Sequence, residues 1–267
     1  MRTEAFELKN GTMTVMDFGN TAVHVYGTGD ALNDQVIILE NRKEPGKRSV
    51  VVEQPCFRNT IDEITEYIRE KGLNVEGKMI SYHAAGAEFL PDVKAYMTEN
   101  ARIYNTVGGG KSLVDSFVGT FGVAFDGSTT VSGEIIPAGD AEIAGIKMIV
   151  RPDNDAYEVE IPSIRTVYMH MLGHDCHSIV AGAGHADAII SNLKGYLDRG
   201  YELFLSSHYG PENRSDVETK IAYLNSLKEI AQSVSSAEDF TAEVESRYPG
   251  YSGENYLGMT AGFFFPH

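Results

Sequence analysis

Apolar and polar positions alternate along the first fifty residues. The runs "TMTVMDFGN", "TAVHVYGTG", "DQVIILENR" and "RSVVVEQ" are rich in β-branched and aromatic residues and are separated by Gly, Asn and Pro. That alternation predicts a meander of strands or hairpins. The period then changes. In "RNTIDEITEYIREKG", Ile61, Ile64 and Ile68 recur at helical spacing, Asn59 or Thr60 stands where a cap is expected, and Gly72 ends the run. "GKMISYH" reads as a short strand over 77–83, "LPDVKAYMTENA" as a helix begun after Pro91, "RIYNTV" as a strand and "KSLVDSFVGTF" as a third helix. From Val123 to Pro162 the pattern is mostly β, with "AEIAGIKMIVRP" followed by "AYEVEIP". "RTVYMHM" is a further strand, and "HADAIISNLKGYLDRG" is an amphipathic helix ending at Gly200. "YELFLSS" is a strand that stops at His208; "SDVETKIAYLNSLKEIAQSV", capped by Ser215, and "SAEDFTAEVESRY" are helices. The aromatic tail with its "GFFF" is expected to pack on the body, because such a run is an aggregation liability in water.

Strand–helix units of this kind predict an α/β fold with sheets inside and helices outside. No low-complexity linker and no fixed-period repeat interrupts the chain, so a single domain over residues 1–267 is expected. With 42% apolar residues there is ample material for a core. The charge changes the list of partners. With 22 basic and 38 acidic residues the formal net charge is −16, which repels phosphate and acidic lipid. Nucleic acid and membrane are therefore not expected as partners; a small-molecule substrate or ligand is, and a homo-oligomer is compatible with the composition. The N-terminal "MRTEAFELKNGTMTVMDFGN" has no long apolar run, so neither a signal peptide nor a membrane span is expected there. Two cysteines, Cys56 and Cys176, make no disulfide framework, which fits a cytoplasmic protein with reduced thiols. Cys56, just before a helix, reads as a buried structural cysteine.

One apparent motif is set aside. "NTVGGGKSLV" resembles a phosphate loop, but the first glycine that a Walker A loop requires is Asn105 here. A Gly-rich turn before a helix is the better reading.

The histidines carry the chemistry. Four of the eight, His170, His174, His177 and His185, fall in "TVYMHMLGHDCHSIVAGAGHADAI" beside Asp175 and Cys176. Three of the eight, one of them in that cluster, stand at strand ends: His83 follows "KMISY", His170 follows "RTVYM" and His208 follows "YELFLSS". Each stands where an apolar strand ends, and strand ends hold ligands stiffly while leaving them open to substrate. His174 and His177 at i, i+3 share a face only if that loop is helical, and read as surface or supporting imidazoles. His185 reads as a cap or surface residue at a helix start, and His24 as structural.

The order of elements, with "KMISYHAAGAEFLPDVKAYM", "YEVEIPSIRTVYMH" and "FLSSHYGPENRSDVETKIAYLNSL", resembles the metallo-β-lactamase superfamily over nearly the whole chain. The combination "EIP…YMHMLGHDCHS…SSHYGP" is similar to the alkyl sulfatases of that superfamily. The resemblance implies an αββα four-layer sandwich with a metal site at one edge of its two sheets. It also implies a Thr-His-x-His-x-Asp-His motif in the first half, and there the sequence departs. With His83 as the first motif histidine, the second histidine is Ala85, the aspartate is Ala87 and the fourth ligand is Glu88; with the alignment slipped by one, Tyr82 replaces the first histidine and His83 lies between ligands. The third-ligand region has no histidine and offers Asp153 and Asp155; His170 stands at the acid position; His208 matches the last ligand.

A rebuilt site of His83, Glu88, His170 and His208 is therefore expected, holding one divalent transition metal, zinc or else iron or manganese. The expected function is a metal-dependent hydrolase of a small ester, lactone or sulfate ester, with Asp175 or His174 as base or proton shuttle. The alternatives are a non-catalytic member that has lost its metal and serves as a ligand-binding, sensor or scaffold protein, as the Ala-Ala-Gly-Ala run suggests, and a flavodiiron-type redox protein.

Overall fold

A computed structural model gives the fold and describes residues 2–43 and 45–266. The chain divides into two compact units. The first runs to His170 and includes Leu205–Pro211; the second comprises Met171–Phe204 and the residues from Glu212 onward.

The first unit begins with the expected meander, preceded by one strand more. β1 (Arg2–Glu7), β2 (Thr12–Asp17), β3 (Thr21–Gly27), β4 (Gln35–Asn41) and β5 (Arg48–Val52) pair antiparallel in succession. Helix α1 (Arg58–Lys71) then returns the chain so that β6 (Asn74–Met79) lies parallel to β5. β7 (Ala95–Met97), α2 (Glu99–Val107), α3 (Gly109–Phe121) and β8 (Glu134–Ile135) follow, and β7 and β8 extend the same sheet in parallel. A second, antiparallel sheet contains β9 (Gly139–Ile143), β10 (Ile146–Pro152), β11 (Tyr157–Ile161) and β12 (Thr166–Met169). Hydrogen bonds join the two sheets: Ser81 Oγ donates to Tyr157 O at 2.8 Å, and Asn41 Nδ2 to Ala144 O at 3.0 Å.

β4 is buried along its whole length because both of its faces are covered. On one face Val36 and Ile38 meet Met13, Tyr26 and Val51, together with Ile61, Ile64, Tyr67 and Ile68 of α1. Burying a side chain of this size stabilises the fold by about 1.5–3 kcal/mol. α1 stops where its sequence says: Gly72 takes φ +63°, and its N–H reaches the carbonyls of Ile68 and Arg69. Its start has no side-chain cap; Phe57 occupies that position, rather than Asn59 or Thr60.

The segment after Pro91 differs from expectation. The helix expected over "LPDVKAYMTENA" is an irregular turn and then β7, and the expected strand "RIYNTV" lies inside α2. Lys78 and Met79 of β6 recruit Ala95 and Tyr96 as parallel partners, and tertiary pairing overrides the local pattern. Thr98 then caps α2, its side chain accepting from Ala101 N at 3.2 Å. The Gly-rich run is unremarkable: Gly109 and Gly110 simply open α3.

The second unit contains α4 (Gly182–Asp198), the start of β13 (Leu203–Ser206), β14 (Glu212–Asn213), α5 (Arg214–Ser233), α6 (Ala237–Arg247) and α7 (Glu254–Phe264). α5 is capped by Asn213, not Ser215: the Asn213 side chain accepts from Ser215 N at 2.7 Å and Asp216 bonds back to Asn213 N at 2.8 Å. The aromatic tail packs as expected, as a helix whose Phe264 stacks on buried Phe240. Among the described residues no helix is long and apolar enough to cross a membrane.

Candidate metal centre

Three strand ends of the first unit meet. His83 follows β6 by four residues, His170 directly follows β12, and His208 follows the end of β13 by two. Their ring centroids lie 4.7 to 5.2 Å apart, and one ligand nitrogen from each ring can be chosen so that all three lie within 4.8 Å of one another. His83 Nε2 and His208 Nε2 are 3.2 Å apart. Among the described residues this is the one group of three or more His, Cys, Asp or Glu with such spacing.

Glu53 builds the loop that carries His83. It sits just after β5 at φ +61°, fully buried, and its carboxylate accepts from three successive amides: Ser81 N at 3.3 Å, Tyr82 N at 2.9 Å and His83 N at 3.0 Å. A left-handed backbone is costly for a non-glycine residue, and those three hydrogen bonds to one side chain offset it. Gly86 shapes the next turn. It has φ +88°, and a Cβ there would lie 1.9 Å from Pro55 O.

The same carboxylate orients His170. Tyr168 OH donates to Glu53 at 2.5 Å, so its oxygen is left to accept from Ser207 Oγ at 2.6 Å. Ser207 Oγ in turn accepts from His170 Nδ1 at 3.1 Å. That order of donors places the proton of His170 on Nδ1 and a lone pair on Nε2. Tyr82 stacks on the His170 ring at 4.0 Å and fixes its plane. For His208 the reasoning is shorter: Nδ1 lies 3.2 Å from Leu32 O, a carbonyl can only accept, and so Nε2 again bears the lone pair.

Behind the rings lies Asp34, at the entry to β4. Its Oδ1 is 3.4 Å from His208 Nδ1 and 3.6 Å from His83 Nδ1, while Cys56 Sγ donates to its Oδ2 at 3.3 Å. Burial pushes the Asp34 carboxyl up to about 7, against the pull of His208 and with a push from Asp30 and Glu53. Burial lowers all three imidazoles: His208 to about 4, His170 well below its ordinary value, and His83 below it too. The rings are therefore neutral at pH 7, the state in which imidazole binds a metal. Three nitrogen donors, with Asp30, Asp34 and Glu53 as the carboxylates acting on them, fit a divalent cation.

The other expected site residues have partners of their own. Glu88 is exposed, ion-paired with Arg58, and not a member of the three-histidine group. Asp153 is used locally: Tyr82 OH donates to its carboxylate at 2.9 Å, and Asp155 N donates to it at 2.9 Å. His174 and Asp175 belong to the second unit. There His174 Nδ1 is 2.6 Å from Glu212; burial disfavours its charged form, but Glu212, Asp175 and Asp216 outweigh it and raise the pKa. Asp175 is exposed. His177 is buried and bonds Tyr223 OH at 2.9 Å. His185 is exposed near the start of α4, its Nδ1 accepting from Ala181 N at 2.9 Å, and His24 is structural, between Tyr67 and Glu40. Asp34, Glu53 and Ser207 escape sequence reasoning. The one available signal is an acid directly before or after an apolar strand, as in "NDQVIIL" and "VVVEQ".

No family model and no curated protein matches the sequence. Solved structures do match in fold. The stereoselective inverting sec-alkylsulfatase Pisa1 from Pseudomonas sp. is 12% identical, with a TM-score of 0.61 over 98% of this chain and 50% of that one. This chain thus spans about half the length of that alkylsulfatase. A beta-lactamase domain protein from Burkholderia ambifaria is 12% identical, with a TM-score of 0.61 over 93% of this chain and 88% of that one. A metallo-beta-lactamase family protein from Thermus thermophilus is 12% identical, with a TM-score of 0.57 over 89% of this chain and 91% of that one. At this identity the likeness speaks for the fold, and the fold of this chain is the metallo-β-lactamase α/β sandwich.

Proposed function

We propose that this protein is a metal-dependent hydrolase that holds one divalent transition ion, zinc before iron or manganese, on His83, His170 and His208. The observation that carries the reading is the direction of the rings. Hydrogen bonding puts the protons of His170 and His208 on Nδ1 and leaves their Nε2 lone pairs free, in a group where one ligand nitrogen from each of the three rings lies within 4.8 Å of the others. Imidazoles held in this way by a second layer of acceptors are the usual construction of a metal site. Three nitrogen donors leave a fourth position, which distinguishes catalytic from structural zinc. When bound, such an ion supplies Lewis-acid polarisation of a scissile group and a more acidic water.

The residues of this chain then have separate tasks. His83, His170 and His208 ligate; Glu53 holds the His83 loop and, through Tyr168 and Ser207, the His170 ring; Tyr82 covers one face of His170. The substrate class is a small ester, lactone or sulfate ester, for which the alkylsulfatase and lactamase neighbours and the net charge of −16 are the support. The same charge disfavours nucleic-acid and membrane partners, and the two free cysteines, Cys56 and Cys176, favour a cytoplasmic protein. A non-catalytic reading has one observation in its favour, the run Ala84, Ala85, Gly86 and Ala87 where the fold family places further ligands.

Metal analysis and zinc titration of protein purified without chelator separate the two. The expected result is about one equivalent of metal, lost in each of His83→Ala, His170→Ala and His208→Ala, with hydrolysis of aryl esters, lactones or sulfate esters lost alongside. Less than about 0.1 equivalent, with none taken up on titration, excludes the hydrolase reading.

A further inference from the structure

A cavity of about 450 Å³ in the first unit is lined by residues of β6, β7 and β8 and of the segments between them, and by none of His83, His170 and His208. Its charge is opposite in sign to that of the chain: Lys78 and Lys94 stand against Glu134 alone, in a protein of net charge −16. Glu134 is ion-paired with Lys94, and both are exposed at the rim. Lys78 lies deeper, only 2% exposed in β6. Lysine is seldom buried to this extent unless paired. Among the described residues no carboxylate is within ion-pair distance of Lys78, and Phe89 O, at 2.7 Å, is the one acceptor for its three N–H donors. Burial lowers its pKa to about 8 while Asp126 acts in the opposite sense, so the ammonium form predominates at pH 7. Asp126 is itself occupied, accepting from Glu88 N at 2.9 Å and from Ser128 N at 3.0 Å.

We propose that this cavity is a binding site for a small oxyanion, a phosphate or carboxylate group, held by the Lys78 ammonium and the hydroxyls of Thr129 and Ser132. Both hydroxyls line the cavity and bond to no described residue, whereas Thr130 Oγ1 lies 3.3 Å from Gln54 Nε2. The wall that carries them is fixed to the sheet. Thr130 N donates to Ala84 O at 2.8 Å, and Gly133 packs so tightly on β7 that a Cβ there would lie 2.9 Å from Ala95 O. An oxyanion supplies what a buried ammonium requires, a counter-charge and several acceptor atoms. Its charge-assisted hydrogen bonds are among the stronger polar contacts a protein makes. The volume admits such a group with a small organic remainder. The site needs no metal, so it stands or falls separately from the three histidines.

The test is titration of the full chain with sodium phosphate and, separately, with sodium acetate, followed by amide NMR shifts. The expected result is saturable shifts at Ala87, Ala95, Thr129 and Thr130, with a Kd of about 1 mM or below for at least one of the two anions. Saturation by phosphate alone marks a phosphate site, and by acetate alone a carboxylate site. Lys78→Met keeps the length of the side chain without its charge and should weaken binding at least about tenfold. Ser132→Ala, at an exposed position, should weaken it about threefold. The proposal is overturned if neither anion saturates by about 10 mM, if the saturable shifts lie outside the cavity, or if folded Lys78→Met binds as tightly as wild type. Should Lys78→Met not fold, undiminished affinity in Ser132→Ala overturns it instead.

Discussion

His24 is an imidazole whose structural role its neighbours settle. Buried in β3, it bonds Tyr67 OH at 2.7 Å and Glu40 at 3.2 Å, and Glu40 also accepts from Arg42 at 2.8 Å. The bond from His24, helped by Arg42, brings the Glu40 carboxyl down to about 2 from an ordinary 4.5. The folded pKa lies below the unfolded one, so the stability this group contributes is complete above about 4.5 and is lost as the pH falls through about 2. Glu40→Gln should therefore lower the urea midpoint at pH 7, and its deficit against wild type should shrink steadily between pH 4.5 and 2. A deficit that stays constant over that range contradicts the assignment. The same scale shows why residue type alone misleads. His24, His83 and His177 are all buried or nearly so, yet only His83 faces other imidazoles. A sequence shows that a histidine is present, not which nitrogen has an acceptor.

At the scale of elements, the strands and the loops just beyond them make the site. β5 leads to Glu53, β6 to His83 and β12 to His170, so one buried carboxylate can tie two of these ends together. Gly86 keeps the His83 loop close to the Pro55 turn. Gly86→Ala brings a Cβ against Pro55 O in a left-handed backbone, and should cost about 3 kcal/mol or more in urea unfolding, with a matching loss of zinc affinity. Wild-type stability in that variant would mean that the turn can move aside. Element types were largely legible, because strand and helix periods differ and because Gly72 and Gly200 mark helix ends. The stretch from Pro91 to Val107 was not. Its strand exists because β6 offers a parallel edge, a partner no local window contains.

At the scale of the molecule, the proposed metal site links metal binding to folding. If three strand ends converge only in the native state, zinc binds the folded chain and not the unfolded one. At a hundredfold excess over its Kd, zinc should stabilise the fold by about 2.7 kcal/mol and raise the melting temperature by about 5 °C. A chelator should reverse the shift, and the variant with His83, His170 and His208 all changed to Ala should show none. A shift of equal size in that triple variant would place the metal elsewhere on this chain of net charge −16.

The sequence by itself determined the α/β class, the type of most elements outside Pro91–Val107, and the three histidines worth watching, since each follows an apolar run that reads as a buried strand. It also pointed to the metallo-β-lactamase fold through the order of those runs. Only the tertiary structure decided that His83, His170 and His208 meet and that Glu88 pairs with Arg58 instead. It likewise decided that Asp34, Glu53 and Ser207 stand behind the rings. The physical reason is range. Periodicity and capping act over a few residues, whereas the contact of Asp34 with His208 spans 174 positions and exists only once both sheets have packed.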